Sequence, residues 1–284
     1  MSQITEYSNE PNRFSVKTTD IDFLTISDTT FKARIFQPVR DEDSPMLIDV
    51  HGGSWQSGSR TEGDILNEEL ASRGILVASI DFRIAPAHPY PSQVQDVNFG
   101  IRWWKANASR YGGYARTLGA LGRSSGGHTA FLNALKPNDP RYRAIQLDQD
   151  PALDASLDYV IGTSPVLDSF SRYIYAKDNS LDRLVKGSMG YFINEKAMKE
   201  GSPQQILERQ DFEYLPPALV IHGTADLNVP NIIPECFAES YKSCGGIIQL
   251  ELFENMPHSF VREPSKETTL AADIIEKFVL DHSM

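Results

Sequence analysis

The stretch Gly122-Arg123-Ser124-Ser125-Gly126 joins two apolar runs of different character, and this junction restricts the fold more than any other feature of the chain. Before it, Thr117-Leu118-Gly119-Ala120-Leu121 has the length and apolarity of a short buried strand; after it, Thr129-Ala130-Phe131-Leu132-Asn133-Ala134-Leu135 reads as a buried helix. A serine held between glycines at a strand-to-helix turn can project its hydroxyl from a strained backbone, because only glycine leaves room for so sharp an elbow. A G-x-S-x-G match alone is weak, since glycine and serine are frequent in ordinary turns. The strand, elbow, helix order around it makes Ser124 the candidate nucleophile.

Further up the chain, the strand-like run Met46-Leu47-Ile48-Asp49-Val50 ends in His51-Gly52-Gly53-Ser54-Trp55. Backbone amides in so small-residue a loop can face an oxyanion, and each preorganised donor of that kind lowers an acyl-transfer barrier by about 3 to 4 kcal/mol. Gly53 and Ser54 are the candidate donors, with Ser125 supplying a third. Trp55, at the end of the loop, is a candidate substrate contact. The general base and its orienting acid should follow the serine. The apolar strand Ala218-Leu219-Val220-Ile221-His222 opens into a loop holding Asp226, and the next strand, 247–253, leads to His258. Ser124, Asp226, His258 is the nucleophile, acid, histidine order of such enzymes.

Other residues compete for these roles. Asp168, after Ser164-Pro165-Val166-Leu167, also follows a strand-like segment and rivals Asp226 as the acid. His128 falls one helical turn past the elbow, where its side chain points away from it, and is read as a packing or hydrogen-bonding residue. His51 is expected to brace the loop it precedes, His222 to be a satisfied buried histidine, His88 to belong to a rigid proline-rich loop, and His282 to a fraying tail.

The combination of His51-Gly52-Gly53, Asp81-Phe82-Arg83-Ile84-Ala85-Pro86, Gly122 to Gly127, His222-Gly223-Thr224-Ala225-Asp226 and Pro257-His258 resembles the hormone-sensitive lipase family of α/β-hydrolases and its bacterial acetyl-esterase relatives, over roughly residues 45–280. The resemblance implies that Ser124 is the nucleophile, His258 the base and Asp226 the acid, and that Gly52, Gly53 and Ser54 form the oxyanion hole. It also implies a small, uncharged carboxylic ester with a short acyl group as substrate. Ser54 stands where the lipase branch usually has a third glycine, and Arg123 where it usually has an acid. Two alternatives follow. One is an amide or carbamate hydrolase such as an aryl-formamidase, which shares the His-Gly-Gly-x-Trp pattern; the other is a non-catalytic ligand-binding homologue, against which the retention of Ser124, Asp226 and His258 counts.

The remaining features are consistent with an α/β fold in one domain of 284 residues, a length that supports a single large core. Strands expected near 46–50, 75–81, 117–122, 158–163, 217–222 and 247–253 alternate with helices near 62–73, 92–110, after the elbow, 231–242 and 267–281, the signature of a mostly parallel sheet covered on both faces. An antiparallel hairpin, 20–27 with 30–37, precedes them. Val94, Val97, Ile101 and Trp104 form a core-facing stripe. Between 165 and 215 the chain is longer than a normal crossover and holds Phe170, Tyr173, Tyr175, Met189, Tyr191 and Phe192. This is read as an inserted helical cap that shapes the substrate pocket through Tyr173, Tyr191 and Phe192, with residues 1–19 helping to close it.

The net charge of −11 argues against nucleic-acid binding, which needs a clustered basic surface. The N-terminus has no basic or apolar signal region and no run of about 18 apolar residues occurs, so a cytoplasmic protein with no membrane partner is expected. Cys236 and Cys244 lie about 12 Å apart along one helix, too far for a disulfide. No metal site and no cofactor are expected, the partner is a small-molecule ester, and homodimerisation is compatible with these features.

Overall fold

A computed structural model of the chain describes residues 3–5 and 13–283. Strands β1 (Gln3–Thr5), β2 (Val16–Ile26) and β3 (Thr29–Pro38) come first, followed by β4 (Ser44–Val50), β5 (Leu76–Ile80), β6 (Gly113–Arg123), β7 (Tyr159–Thr163), β8 (Ala218–Gly223) and β9 (Ile248–Phe253). They form one sheet in the order β1-β2-β3-β5-β4-β6-β7-β8-β9. The first three strands and the β3–β5 contact are antiparallel; from β5 through β4 to β9 every pairing is parallel. The expected hairpin is β2 with β3, with β2 beginning four residues before the expected start at 20.

The parallel strands read as continuous apolar runs because both sheet faces are covered. Helices α1 (Asp64–Ser72), α2 (Ser92–Asn107) and α3 (Ser125–Leu135) alternate with the first of them, and α4 (Ser169–Asp178), α5 (Asp182–Phe192), α6 (Glu195–Glu200) and α7 (Pro203–Glu208) fill the interval between β7 and β8. Then α8 (Ile232–Ser243) and α9 (Lys266–Asp281) complete the chain. Leu47, Val77, Leu121, Ile161 and Leu219 point to the face covered by α1 and α9. Ile48, Ala78, Ala120, Val160 and Val220, one residue further along each strand or one before, point to the face covered by α2, α3 and α8. The stripe Val94, Val97, Ile101, Trp104 is fully buried in that second core, as its spacing predicts.

The strand order fixes where a ligand can sit. From β4 the chain crosses first to β5 on one side, then jumps back across β4 to β6 on the other. The loops leaving β4 and β6 therefore diverge at their carboxyl ends and open a crevice, the usual binding position in open parallel sheets. His51-Gly52-Gly53 leaves β4 there, and Ser124 leaves β6.

The segment 1–19 does not close that crevice where it is described. Residues 6–12 lie outside the described residues, but the Phe14 amide donates to the Ser72 carbonyl at the end of α1, and the Phe14 ring lies beside Gly74, just before β5 begins. Strand β2 starts at Val16, paired with Pro38. That is the amino end of the parallel strands, opposite the crevice, because the end of β3 that pairs with Val16 also pairs with the start of β5. Cys236 and Cys244 are free thiols, and among the described residues no helix is long and apolar enough to cross a membrane.

Candidate active site

Ser124 occupies the elbow between β6 and α3 with φ 50° and ψ −117°, a backbone conformation that non-glycine residues rarely adopt. Such a turn needs its neighbours to be small: a Cβ on Gly126 would lie 2.1 Å from the Val50 carbonyl oxygen, so α3 can reach the end of β4 only with glycine there. The turn is held by the Ser124 amide donating to the Thr163 carbonyl at 3.0 Å and by the Val166 amide donating to the Ser124 carbonyl at 3.0 Å.

His258 and Asp226 meet this serine, although each comes from a different strand end. The Ser124 hydroxyl lies 2.9 Å from His258 Nε2, and His258 Nδ1 donates to Asp226 Oδ2 at 2.7 Å. Asp226 Oδ1 accepts from the amides of Asn228 at 2.8 Å and Val229 at 2.9 Å, which fixes the carboxylate. Burial alone would raise the Asp226 carboxyl, but the hydrogen bond and charge of His258, with the Val229 amide, outweigh it and hold the carboxyl below its ordinary value. An ionised Asp226 in turn keeps the proton of a neutral His258 on Nδ1, leaving Nε2 free to accept from serine. Asp168, the rival acid, caps α4 instead: its carboxylate accepts from the amides of Phe170 and Ser171 and from the hydroxyls of Ser171 and Ser202.

The loop after β4 faces the same serine. Gly53, Ser54 and Trp55 all have positive φ, at 111°, 52° and 62°, which curls the loop so that the Gly53 carbonyl accepts from Gln56 and Ser57. The amides of Gly53 and Ser54 have no partner among the described residues, and both residues line the cleft with Ser124. Gly52 packs on the elbow, where an added Cβ would lie 3.2 Å from the Ser124 Cβ. Ser125 opens α3, so its amide is one of the unpaired donors of a helix start. Its hydroxyl accepts from the Trp55 amide at 3.1 Å, tying loop to elbow. His51 braces the same loop, with Nδ1 2.8 Å from the Gly52 carbonyl and its ring stacked on Phe82 at 4.0 Å. Burial pushes it down to about 4, so it is neutral at physiological pH.

Beneath Ser124, Arg123 is buried and ion-paired with Asp49 of β4. The pair is enclosed in a hydrogen-bonded set: Asn67 donates to Asp49 at 2.8 Å and accepts from Arg123 at 2.9 Å, and Ser79 donates to Asp49 at 2.7 Å. This accounts for the cation at the position where an acid is usual, since its counter-charge stands on the adjacent strand. The cleft above has a volume of about 460 Å³, and its charged lining is Glu62, Arg123, Arg172, Arg183, Arg262 and Glu263.

The profile of the BD-FAE family matches residues 34–240, well over half of the chain. The chain belongs to the BD-FAE family. It is an α/β-hydrolase of the hormone-sensitive-lipase type. Esterase LipC of Mycobacterium tuberculosis is 33% identical over 203 residues, covering 70% of this chain and 49% of LipC. The probable isoprenylcysteine alpha-carbonyl methylesterase ICME of Oryza sativa subsp. japonica is 28% identical over 243 residues, 82% of this chain and 56% of that protein. The chain thus spans about half the length of the curated relatives it matches. Among solved structures, the thermophilic esterase Est2 of Thermogutta terrifontis superposes with a TM-score of 0.74 at 24% identity, covering 93% of this chain and 94% of that one. That likeness establishes the fold.

In this BD-FAE chain the four aromatic residues expected to contact substrate lie outside the lining of the cleft. Trp55, Tyr173, Tyr191 and Phe192 are all buried and none lines the cleft. Tyr191 stacks on Trp55 with ring centroids 5.3 Å apart and planes within 5°, and Phe192 meets Trp55 edge-on at 5.2 Å. Trp55 Nε1 donates to His128 Nδ1 at 3.2 Å, and His128 Nε2 donates to the Gly201 carbonyl at 2.7 Å. These rings are a wedge that fastens α5 to the loop after β4. The fastening is close: a Cβ on Gly187 would lie 3.2 Å from the Ser54 Cβ. Aromatic content marked the segment correctly as needing a partner, but adjacent rings at a helix end give no direction. The charged residues of the cleft, Arg172 and Arg183 among them, were missed because charges on short helices read as solvated.

Proposed function

We propose that this chain is a serine carboxylic-ester hydrolase in which Ser124 attacks the ester carbonyl, His258 takes its proton through Nε2, and Asp226 holds the imidazole and stabilises its cation. The observation that carries the reading is the unbroken hydrogen-bonded path from Ser124 through His258 to Asp226. The amides of Gly53, Ser54 and Ser125 are the donors for the tetrahedral oxyanion, because they are unpaired and belong to the loop and helix start beside Ser124. Water then releases the acid from the acyl-enzyme, with His258 as base. Helices α4 to α7 act as a cap: α5 sits on Ser54, and Arg172, Arg183 and Leu184 reach the cleft. The preference for short acyl groups rests on the family resemblance. The esterase names of the relatives support this chemistry, as does the paraoxon-phosphorylated state of Thermogutta terrifontis esterase 2.

The test is hydrolysis of p-nitrophenyl esters of graded chain length, combined with paraoxon labelling and mapping of the phosphorylated peptide. Ester turnover with the adduct on Ser124, both lost in Ser124→Ala, is the expected result. An adduct on Ser125, or turnover that survives Ser124→Ala, overturns the assignment.

A further inference from the structure

Ester hydrolysis does not require the charge that this cleft carries. Arg172, on α4, lines the cleft although it is only 1% exposed, and it forms no ion pair among the described residues. Its Nε donates to the Asn228 carbonyl at 3.3 Å and its Nη1 to the Ser188 hydroxyl at 3.4 Å, both long contacts, while Nη2 donates to nothing among the described residues. One face of the guanidinium lies over the Trp55 ring at 5.6 Å. One face and two nitrogens are thus occupied by protein, and the Nη2 edge is left for the cleft.

Removing a guanidinium from water is costly, and buried ones are ordinarily met by a carboxylate. Here a neighbouring cation makes matters worse. Arg183, near the start of α5, lines the same cleft with no hydrogen-bond or ion-pair partner among the described residues. Burial, and then the Arg183 charge, push Arg172 down to about 10, with Asp226 pulling the other way, so Arg172 stays cationic at neutral pH. Among the other lining charges, Arg123 is paired with Asp49 and Arg262 with Glu62, while Glu263 forms no ion pair among the described residues; α4, α5 and Asn228 bring no carboxylate to the cleft. The net charge of −11 repels anions from a distance, but salt screens that beyond about 8 Å, so the local pair decides what binds.

We propose that Arg172 and Arg183 form a carboxylate-binding wall, so that the preferred substrate is an anionic ester, its charge carried on either the acyl or the alcohol half. A planar guanidinium edge matches a carboxylate through paired N–H···O bonds, which fixes the ester relative to Ser124 as well as holding it. This rests on the reading of Ser124 as an esterase nucleophile, and it replaces the neutral substrate that the family resemblance implied.

The experiment compares matched pairs that differ by one carboxylate: monomethyl succinate with methyl butyrate for the acyl half, and 4-acetoxybenzoate with phenyl acetate for the alcohol half. The expected result is a kcat/KM at least tenfold higher for the charged member of one pair, carried by KM. That ratio should fall at least tenfold in Arg183→Gln and in Arg172→Gln and be partly kept in Arg172→Lys. Arg183 is exposed, so its substitution keeps the test valid if Arg172→Gln does not fold. Titration of Ser124→Ala with monomethyl succinate by calorimetry measures binding without turnover, and the same binding should weaken in the Arg183→Gln background. Hydrolysis of the neutral esters with no charged preference in either pair, or a preference that both Arg→Gln variants retain, overturns this proposal and leaves the esterase reading standing. Failure to hydrolyse any ester, with Ser124 unlabelled by paraoxon, overturns both.

Discussion

Arg123 and Asp49 form a buried ion pair between neighbouring strands, directly under the residue that turns the elbow. Because β4 and β6 are in parallel register with Asp49 opposite Leu121, the pair ties the end of the strand that leads into His51-Gly52-Gly53 to the end of the strand that leads into Ser124. Its value is positional. Burying two charges costs nearly as much as their attraction returns, so such a pair adds little net stability, while removing one partner strands the other.

Arg123→Met should therefore destabilise the fold by about 3–5 kcal/mol, and Asp49→Leu by a similar amount. The double variant should lose much less than the sum of the two, since no charge is left unpaired. Urea denaturation of the three proteins checks this. Additive losses would mean that each residue acts through separate contacts.

Asp226 and Asp168 give opposite signatures. Asp226→Asn should permit the wrong imidazole tautomer and reduce kcat by about 10⁴-fold, by analogy with serine proteases, with little change in melting temperature. Asp168→Ala removes the N-cap of α4 and should cost about 1 kcal/mol of stability with kcat changed only modestly. Paired kinetic and thermal measurements separate the two, and a reversed ranking would place the acid on Asp168.

The contrast between these two aspartates shows what the sequence makes legible. Each parallel strand is a short apolar run, and each candidate catalytic residue directly follows one, so chain order alone placed Ser124, Asp226 and His258 at one end of the sheet. Asp168 satisfied the same rule; what separates the two is that Asp226 reaches His258 while Asp168 is taken up by the start of α4 and by Ser202. The direction in which helices of the inserted segment face was not legible. Tyr191 and Phe192 are consecutive, so no helical periodicity says which ring points inward, and both turn to Trp55. Arg172 was hidden for a related reason, because a guanidinium over a buried indole cannot be told in sequence from one in water. For the N-terminal segment, nothing in its composition indicates to which end of the sheet an antiparallel edge strand brings it, and its described residues 13–19 lie at the amino end.

The wedge on Trp55 separates packing from polar effects. Phe192→Ala and Tyr191→Ala should each destabilise the fold by about 3–5 kcal/mol and leave the order of preference along an acyl-chain series unaltered. Tyr191→Phe should behave differently. The Tyr191 hydroxyl is buried with no partner among the described residues, so deleting it should leave stability unchanged or raise it by up to about 1 kcal/mol. Melting curves and kcat/KM for graded esters are the measurements, and a shift toward longer chains in Phe192→Ala would return this ring to the pocket wall.

His128 shares that wedge, and its burial predicts an acid sensitivity with a defined sign. Burial pushes both His51 and His128 from 6.5 down to about 4, against the pull of a backbone carbonyl on each ring. Below pH 6.5 the unfolded chain takes up a proton at each histidine while the folded protein does not, so stability is complete above pH 6.5 and is lost as pH falls through 4. A shift of that size is worth about 3 kcal/mol per histidine. His128→Asn will lower stability at pH 7, because the Trp55 and Gly201 contacts are disturbed, but it also removes one titrating group. The slope of unfolding free energy against pH between 6.5 and 4.5 should therefore be shallower than in the parent chain by about 1.4 kcal/mol per pH unit. Denaturation at a series of pH values reads this slope directly, and equal slopes in the two proteins would mean that His128 titrates in the folded state as it does in the unfolded chain.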